Sequence, residues 1–114
     1  EDHEYGDVSP INKNVAEPGM IFSIEPGIYI EGSHGVRLEN ELLVCEGEKN
    51  EYGEFLYFEP ITYVPFDLDA INPDIMNAED KERLNTYHAT VYEKVSPYLN
   101  DEEKEWLKKY TRAI

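Results

Sequence analysis

The chain has 114 residues, 25 of them Asp or Glu against 10 Lys or Arg, for a formal net charge of −15. That length holds one core at most, and the acidity argues against nucleic-acid phosphates or anionic lipid as partners. No run of about 18 apolar residues exists to span a membrane, and the single Cys45 excludes an internal disulfide and suggests a reducing compartment.

Residues 1–19 read as irregular, and Pro18-Gly19 is a turn signal that delivers the chain into a strand from Met20 to Glu25. Pro26 has no N–H to give a ladder and Gly27 relaxes the backbone, so a kink or bulge is expected directly after Glu25. The run Glu31-Gly32-Ser33-His34-Gly35 is a turn, with His34 as a loop residue. A second strand is expected from Val36 to Cys45, with Val36, Leu38 and Asn40 on one face and Arg37, Glu39 and Glu41 on the other. Cys45 reads as a buried strand position. Glu46–Gly53 reads as a polar loop, and Glu54–Val64 as one or two further strands, Phe55–Phe58 and Ile61–Val64, punctuated by Pro60.

The character then changes. Phe66–Met76 is a connector. Asn77 is a good N-cap for a helix whose Leu84, Tyr87, His88, Val91 and Val95 form one apolar stripe, His88 being a packing residue. Pro97 closes that helix. Asn100 and Glu103 have capping-box spacing at the start of a second helix, whose Trp106, Leu107, Tyr110 and Ile114 share a face. The expected fold is α+β, a small antiparallel sheet over residues 1–65 followed by a helical hairpin extension over 66–114.

Glu25 and Glu39 are equidistant from Gly32, so a hairpin centred there sets them opposite or diagonal, roughly 5–8 Å apart. Two ionised carboxylates at 5 Å repel by about 3 kcal/mol at an effective dielectric near 20. A cation between them relieves that repulsion, and hard divalent ions take carboxylate oxygens with imidazole as a further ligand. A solvated acidic edge is the commoner explanation of such a pair, and the residues by themselves leave both readings open. Two glutamates alone cannot hold two metal ions.

The stretch Glu17-Pro18-Gly19-Met20-Ile21-Phe22-Ser23-Ile24-Glu25-Pro26-Gly27-Ile28-Tyr29, followed by Gly35-Val36-Arg37-Leu38-Glu39-Asn40, resembles the last part of the metal site of the pita-bread metallopeptidases. Within that group it is most similar to aminopeptidase P, the Xaa-Pro aminopeptidases. Glu54–Pro65, Leu84–His88 and Glu105–Leu107 resemble the C-terminal extension of the longer, three-domain members, which prolidase and methionine aminopeptidase usually lack. The resemblance implies a pita-bread fold, with Glu25 as a ligand to one ion and Glu39 as the ligand that bridges two. Arg37 then orients the metal carboxylates, and His3, in Asp2-His3-Glu4, assists substrate binding or proton transfer near the scissile bond.

It further implies a parent enzyme with two divalent ions, manganese first and zinc or cobalt as alternatives, that cleaves the N-terminal Xaa-Pro bond of peptides with proline second. A homodimer in the cytoplasm is expected for that parent. The family's two Asp ligands and its ligand His do not occur in these residues, and the chain opens on Glu1. The expectation is therefore a fragment, inactive alone and binding metal weakly or not at all, with sheet faces exposed and prone to self-association. Two other readings stay open: a non-catalytic pita-bread homologue or interaction module, and a prolidase acting on dipeptides.

Overall fold

Residues 13–114 are described by the computed structural model. They fall into two compact units, one running to Thr62 and the other spanning Tyr63–Ile114. Each is taken on its own.

In the first unit Gly19, at φ 91°, turns the chain into β1 (Ile21–Ile24). Strands β2 (Gly27–Ile30) and β3 (His34–Arg37) pair as a two-stranded ribbon. Strands β4 (Asn40–Asn50) and β5 (Gly53–Pro60) join β1 in a three-stranded sheet of order β1-β4-β5, and all pairings are antiparallel.

One register runs through both ladders. Ile24 faces Asn40 in the β1–β4 ladder, and Gly27 faces Arg37 in the β2–β3 ladder, so every pair is symmetric about Gly32. The tip is closed by the Ser33 N–H donating to the Ile30 carbonyl at 3.0 Å. Gly32 sits at the third position of that turn with φ 71°, where a side chain would be strained. The ladder lapses at Glu25-Pro26 and Leu38-Glu39, because Pro26 has no donor. The Leu38 N–H reaches the Pro26 carbonyl at 3.1 Å and carries the register across the lapse.

Several sequence expectations change here. The strand expected from Val36 to Cys45 is two strands, β3 and β4, parted at Leu38-Glu39. His34, expected in the loop, is the first residue of β3 opposite Ile30, with its Nδ1 2.8 Å from Ser33 Oγ. The expected polar loop Glu46–Gly53 is mostly strand: β4 and β5 stay paired to Asn50 and Gly53, with a register shift between Glu46 and Lys49. Backbone pairing needs no apolar side chains, so a charged composition concealed these strand ends. Ile61–Val64 is not a strand. One further bond, from the Ile61 N–H to the Glu41 carbonyl at 2.9 Å, ends the pairing, because β4 itself begins at Asn40 and offers no further partner.

Packing in this unit centres on Val44, which is 2% exposed. Leu42 and Val44 lie two apart on one face of β4, opposite Phe22 and Phe58, whose rings meet edge to face at 6.3 Å. Cys45, expected to be buried, points to the other face and is only half-buried, since successive side chains alternate. Ile28, Ile30, Val36 and Leu38, with Phe55 and Tyr57 of β5, are exposed, as expected for an uncovered sheet.

In the second unit α1 (Ala78–Val95) starts at Asn77, whose side chain accepts from the Asp80 N–H at 2.8 Å. Pro97 lies in a short 3-10 turn, Ser96–Tyr98, after which α2 (Asp101–Tyr110) begins with a complete capping box. Asn100 accepts from the Glu103 N–H at 3.0 Å while the Glu103 carboxylate accepts from the Asn100 N–H at 2.8 Å. His88, Val91, Leu68 and Leu107 are buried. Trp106, expected on the packed face of α2, is largely exposed and lies against the Tyr110 ring at 4.6 Å, while Leu107 takes the buried position. The Asn85 side chain binds both backbone groups of Ile114, at 2.9 and 3.2 Å, and so ties the end of the chain to α1.

Candidate metal centre

Alternation along paired strands sends every second residue to the same face. Because the register sums evenly about Gly32, the odd-numbered residues of one strand meet the odd-numbered residues of the other. Ser23, Glu25, Tyr29, Arg37 and Glu39 are all odd, and the side-chain contacts show them on one face.

The centre of the group is Arg37. Its Nη1 lies 3.1 Å from Glu25 Oε2 and 3.5 Å from Glu39 Oε2. The two carboxylates thus converge on a single nitrogen, closer to each other than those two distances laid end to end. Ser23 Oγ donates to the other oxygen of Glu25 at 2.7 Å, holding that carboxylate from its far side. The Arg37 Nε donates to the Tyr29 hydroxyl at 2.9 Å, fixing the near end of the guanidinium. Side-chain exposure is 35% for Arg37, 23% for Glu25 and 42% for Glu39, so the group is open to solvent and each ion pair adds about 1 kcal/mol at most.

Two glycines seat the tyrosine. A Cβ on Gly27 would lie 2.5 Å from the Tyr29 hydroxyl oxygen, and a Cβ on Gly35 would lie 2.7 Å from Cδ1 of the ring. The ring therefore rests across bare backbone, and no other residue type leaves room for it there. A Gly35→Ala substitution is expected to lift the ring and release the Tyr29–Arg37 bond. The stability cost is about 1 kcal/mol, read by urea denaturation, with loss of the ring's contacts to residue 35 in proton NMR. An unmoved ring would contradict this packing.

Of the residues singled out from sequence, Glu25, Arg37 and Glu39 are brought together. His3 lies outside the described residues. Ser23, Tyr29, Gly27 and Gly35 escaped sequence reading, although the odd-residue parity of the hairpin was available to find them. Among the described residues no group of three or more His, Cys, Asp or Glu side chains is positioned to hold a metal ion. The donor type suits a hard divalent cation, which takes carboxylate oxygens: two carboxylates already converged on a positive group.

Comparison with known proteins bears on what that part belongs to. Residues 1–46 match the family model for metallopeptidase family M24, and residues 54–114 match the model for the C-terminal region of peptidase M24. The chain is 37% identical over 116 aligned residues to Xaa-Pro aminopeptidase 2 of Homo sapiens, covering 98% of this chain and 17% of that protein. It is 38% identical over 109 residues to aminopeptidase P1 of Arabidopsis thaliana, covering 92% of this chain and 17% of that one. Among solved structures it is similar to the X-prolyl aminopeptidase of Caenorhabditis elegans, described as a cytosolic enzyme with a di-nuclear active site. That match has a TM-score of 0.74 and 28% identity over 87% of this chain and 17% of the other. The chain thus spans about one sixth of the length of these relatives, and its small antiparallel sheet with two helices is a portion of the pita-bread aminopeptidase fold.

Proposed function

Because the chain belongs to metallopeptidase family M24, we propose that it supplies Glu25 and Glu39 to a dinuclear metal site in an exopeptidase that cleaves the N-terminal Xaa-Pro bond. The observation that carries this reading is the convergence of Glu25 Oε2 and Glu39 Oε2 on one nitrogen, within the stretch matched to the family. The names of the relatives support the substrate class: a peptide with proline second.

Two divalent ions, manganese first and zinc or cobalt as alternatives, would polarise the scissile carbonyl and lower the pKa of water. The chain's own residues position them. Glu25 and Glu39 would hold the ions, Glu39 as the ligand shared by both; Glu25 would also take part in moving the water's proton, and Arg37 would keep the two carboxylates turned toward each other. His3 assists at the substrate, near the bond to be cut. The enzyme works in the cytoplasm as a homodimer; the location is supported by the C. elegans neighbour, described as a cytosolic enzyme.

The test is an assay of the full-length polypeptide carrying these residues, with Mn²⁺. The substrates are an Xaa-Pro tripeptide, the same peptide with alanine second, and an Xaa-Pro dipeptide. Metal-dependent cleavage of the proline tripeptide alone, or with the dipeptide, is the expected result. Cleavage of the dipeptide only would make it a prolidase, and no metal-dependent cleavage would make it a non-catalytic homologue. The 114 residues on their own, with two of the required carboxylates, are expected to show no turnover above background.

A further inference from the structure

The unit Tyr63–Ile114 carries a cleft that its own packing leaves unfilled. Its volume is about 650 Å³, within the roughly 300–1,000 Å³ of sites that take a ligand or a few side chains of a peptide. Val95, Leu99 and Leu107 line it from the two helices and the turn between them, Val64 and Pro65 line it from the connector, and Trp106 lines it from α2. The walls are set before anything enters. The Val64 carbonyl accepts from the Tyr87 hydroxyl at 2.7 Å, which fastens that stretch to α1. The Leu99 N–H donates to the Ser96 carbonyl at 3.1 Å, and the Asn100–Glu103 capping box fixes the start of α2. Apolar surface stays in water as a result, with Trp106 57% and Val64 67% exposed. Tryptophan is among the residue types that most often anchor a binding partner, and here it stands at the edge of a preformed apolar cleft.

Charge decides the chemistry of the occupant. Glu102 and Glu103 also line the cleft, with no Lys, Arg or His among its lining residues. The start of α2 contributes about half a positive charge from its macrodipole, too little to offset two carboxylates. Glu102 stands one helical turn before Trp106, so its carboxylate and the indole share one side of α2. A side chain that is apolar along its stem and positive at its tip satisfies both at once, lying on the ring and ending at the acid. We propose that the cleft is a docking site for a basic amphipathic peptide segment of another protein. Its apolar side chains rest against Val95, Leu99 and Leu107, and a Lys or Arg crosses Trp106 toward Glu102. A second copy of this chain is disfavoured as the occupant, because each copy carries a net charge of −15. The cleft shares no residue with the Glu25–Glu39 group, so it stands whether or not the metallopeptidase reading does.

The experiment is fluorescence anisotropy with the full-length polypeptide carrying these residues and a fluorescein-labelled peptide of four Lys-Leu repeats. Matched peptides replace every Lys by Glu or every Leu by Ser. The Lys-Leu peptide is expected to bind and the Glu-Leu peptide not to bind. The Lys-Ser peptide should bind about tenfold more weakly than Lys-Leu, since its apolar contacts are lost. Trp106→Ala is expected to weaken binding of the Lys-Leu peptide by about tenfold. Any acidic protein attracts a basic peptide, so the deciding comparison is between two charge reversals. Glu102→Lys should weaken binding by about tenfold. Glu82→Lys, at an exposed position about 20 Å along α1 from Val95, should change it by less than about twofold. Equal effects of the two reversals overturn the proposal, as does binding that Trp106→Ala leaves unchanged, or no binding at all. Should Trp106→Ala fail to fold, the two charge reversals decide. A second readout labels the polypeptide with 5-fluorotryptophan and follows the ¹⁹F signal of Trp106, assigned as the one missing in Trp106→Phe. That signal should show a solvent isotope shift in the free polypeptide and move when the Lys-Leu peptide is added. A signal shielded from solvent in the free polypeptide overturns the proposal in favour of the rest of the chain as occupant. A signal that moves with protein concentration alone overturns it in favour of a second copy.

Discussion

A Glu39→Gln substitution in the full-length polypeptide is expected to lower turnover of an Xaa-Pro peptide by about a thousandfold, roughly 4 kcal/mol of lost transition-state stabilisation. Glutamine keeps the shape of the side chain and one acceptor oxygen. It loses the negative charge that a bridging ligand shares between two cations, and with it the ionic partner of Arg37 Nη1. Because Glu39 is 42% exposed at its side chain, the fold is expected to survive the change. The measurement is kcat and KM with bound metal quantified in the same preparation. A fall in kcat accompanied by the loss of metal marks a ligand. Activity within tenfold of the parent would remove Glu39 from the site and leave the converged carboxylates as an acidic edge.

The second large effect lies in the unit Tyr63–Ile114. His88 is fully buried; its Nε2 accepts from the Phe66 N–H at 3.0 Å, and its Nδ1 has no hydrogen-bond partner. An acceptor Nε2 requires the neutral ring. Protonation would turn that nitrogen into a second donor facing a donor, and would leave a charge inside an apolar setting of Phe66, Tyr87 and Val91. Burial accordingly lowers the His88 pKa below its ordinary 6.5. The unfolded chain therefore takes up the proton first. Stability is complete above the ordinary histidine value and is lost as pH falls below it, toward the depressed pKa of the folded state.

Urea denaturation at pH 7 and at pH 5 should show the second unit weakening at the lower pH. A His88→Leu substitution should flatten that difference. It should also cost about 1–3 kcal/mol at pH 7, by leaving the Phe66 N–H without its acceptor. An unchanged pH difference in His88→Leu would show that other groups, the many carboxylates included, set the acid sensitivity.

Much of both features was legible in the residues. The spacing of Glu25 and Glu39 about Gly32 placed them opposite or diagonal to each other, because a hairpin turn with a glycine at its tip leaves few registers to choose from. The helices were legible from their caps, Asn77 and Asn100, and from the 3.6-residue stripe that buries His88 and Val91. The ends of β4 and β5 were not, because charged residues there are held by ladder bonds that composition does not report. Trp106 misled for a related reason: a helical stripe says which residues share a face, while the partner surface decides which of them is covered.

The sequence by itself determined a hairpin centred on Gly32, with the two glutamates opposite or diagonal across it, and the two helices, since each follows from local turn, cap and periodicity signals. Only the tertiary structure decided that both carboxylates meet Arg37 Nη1, that Tyr29 holds the other end of that guanidinium, and that two glycines make room for its ring. Those contacts depend on rotamers of long side chains across a break in the ladder, where several staggered choices are open and only the packing of neighbouring atoms selects one.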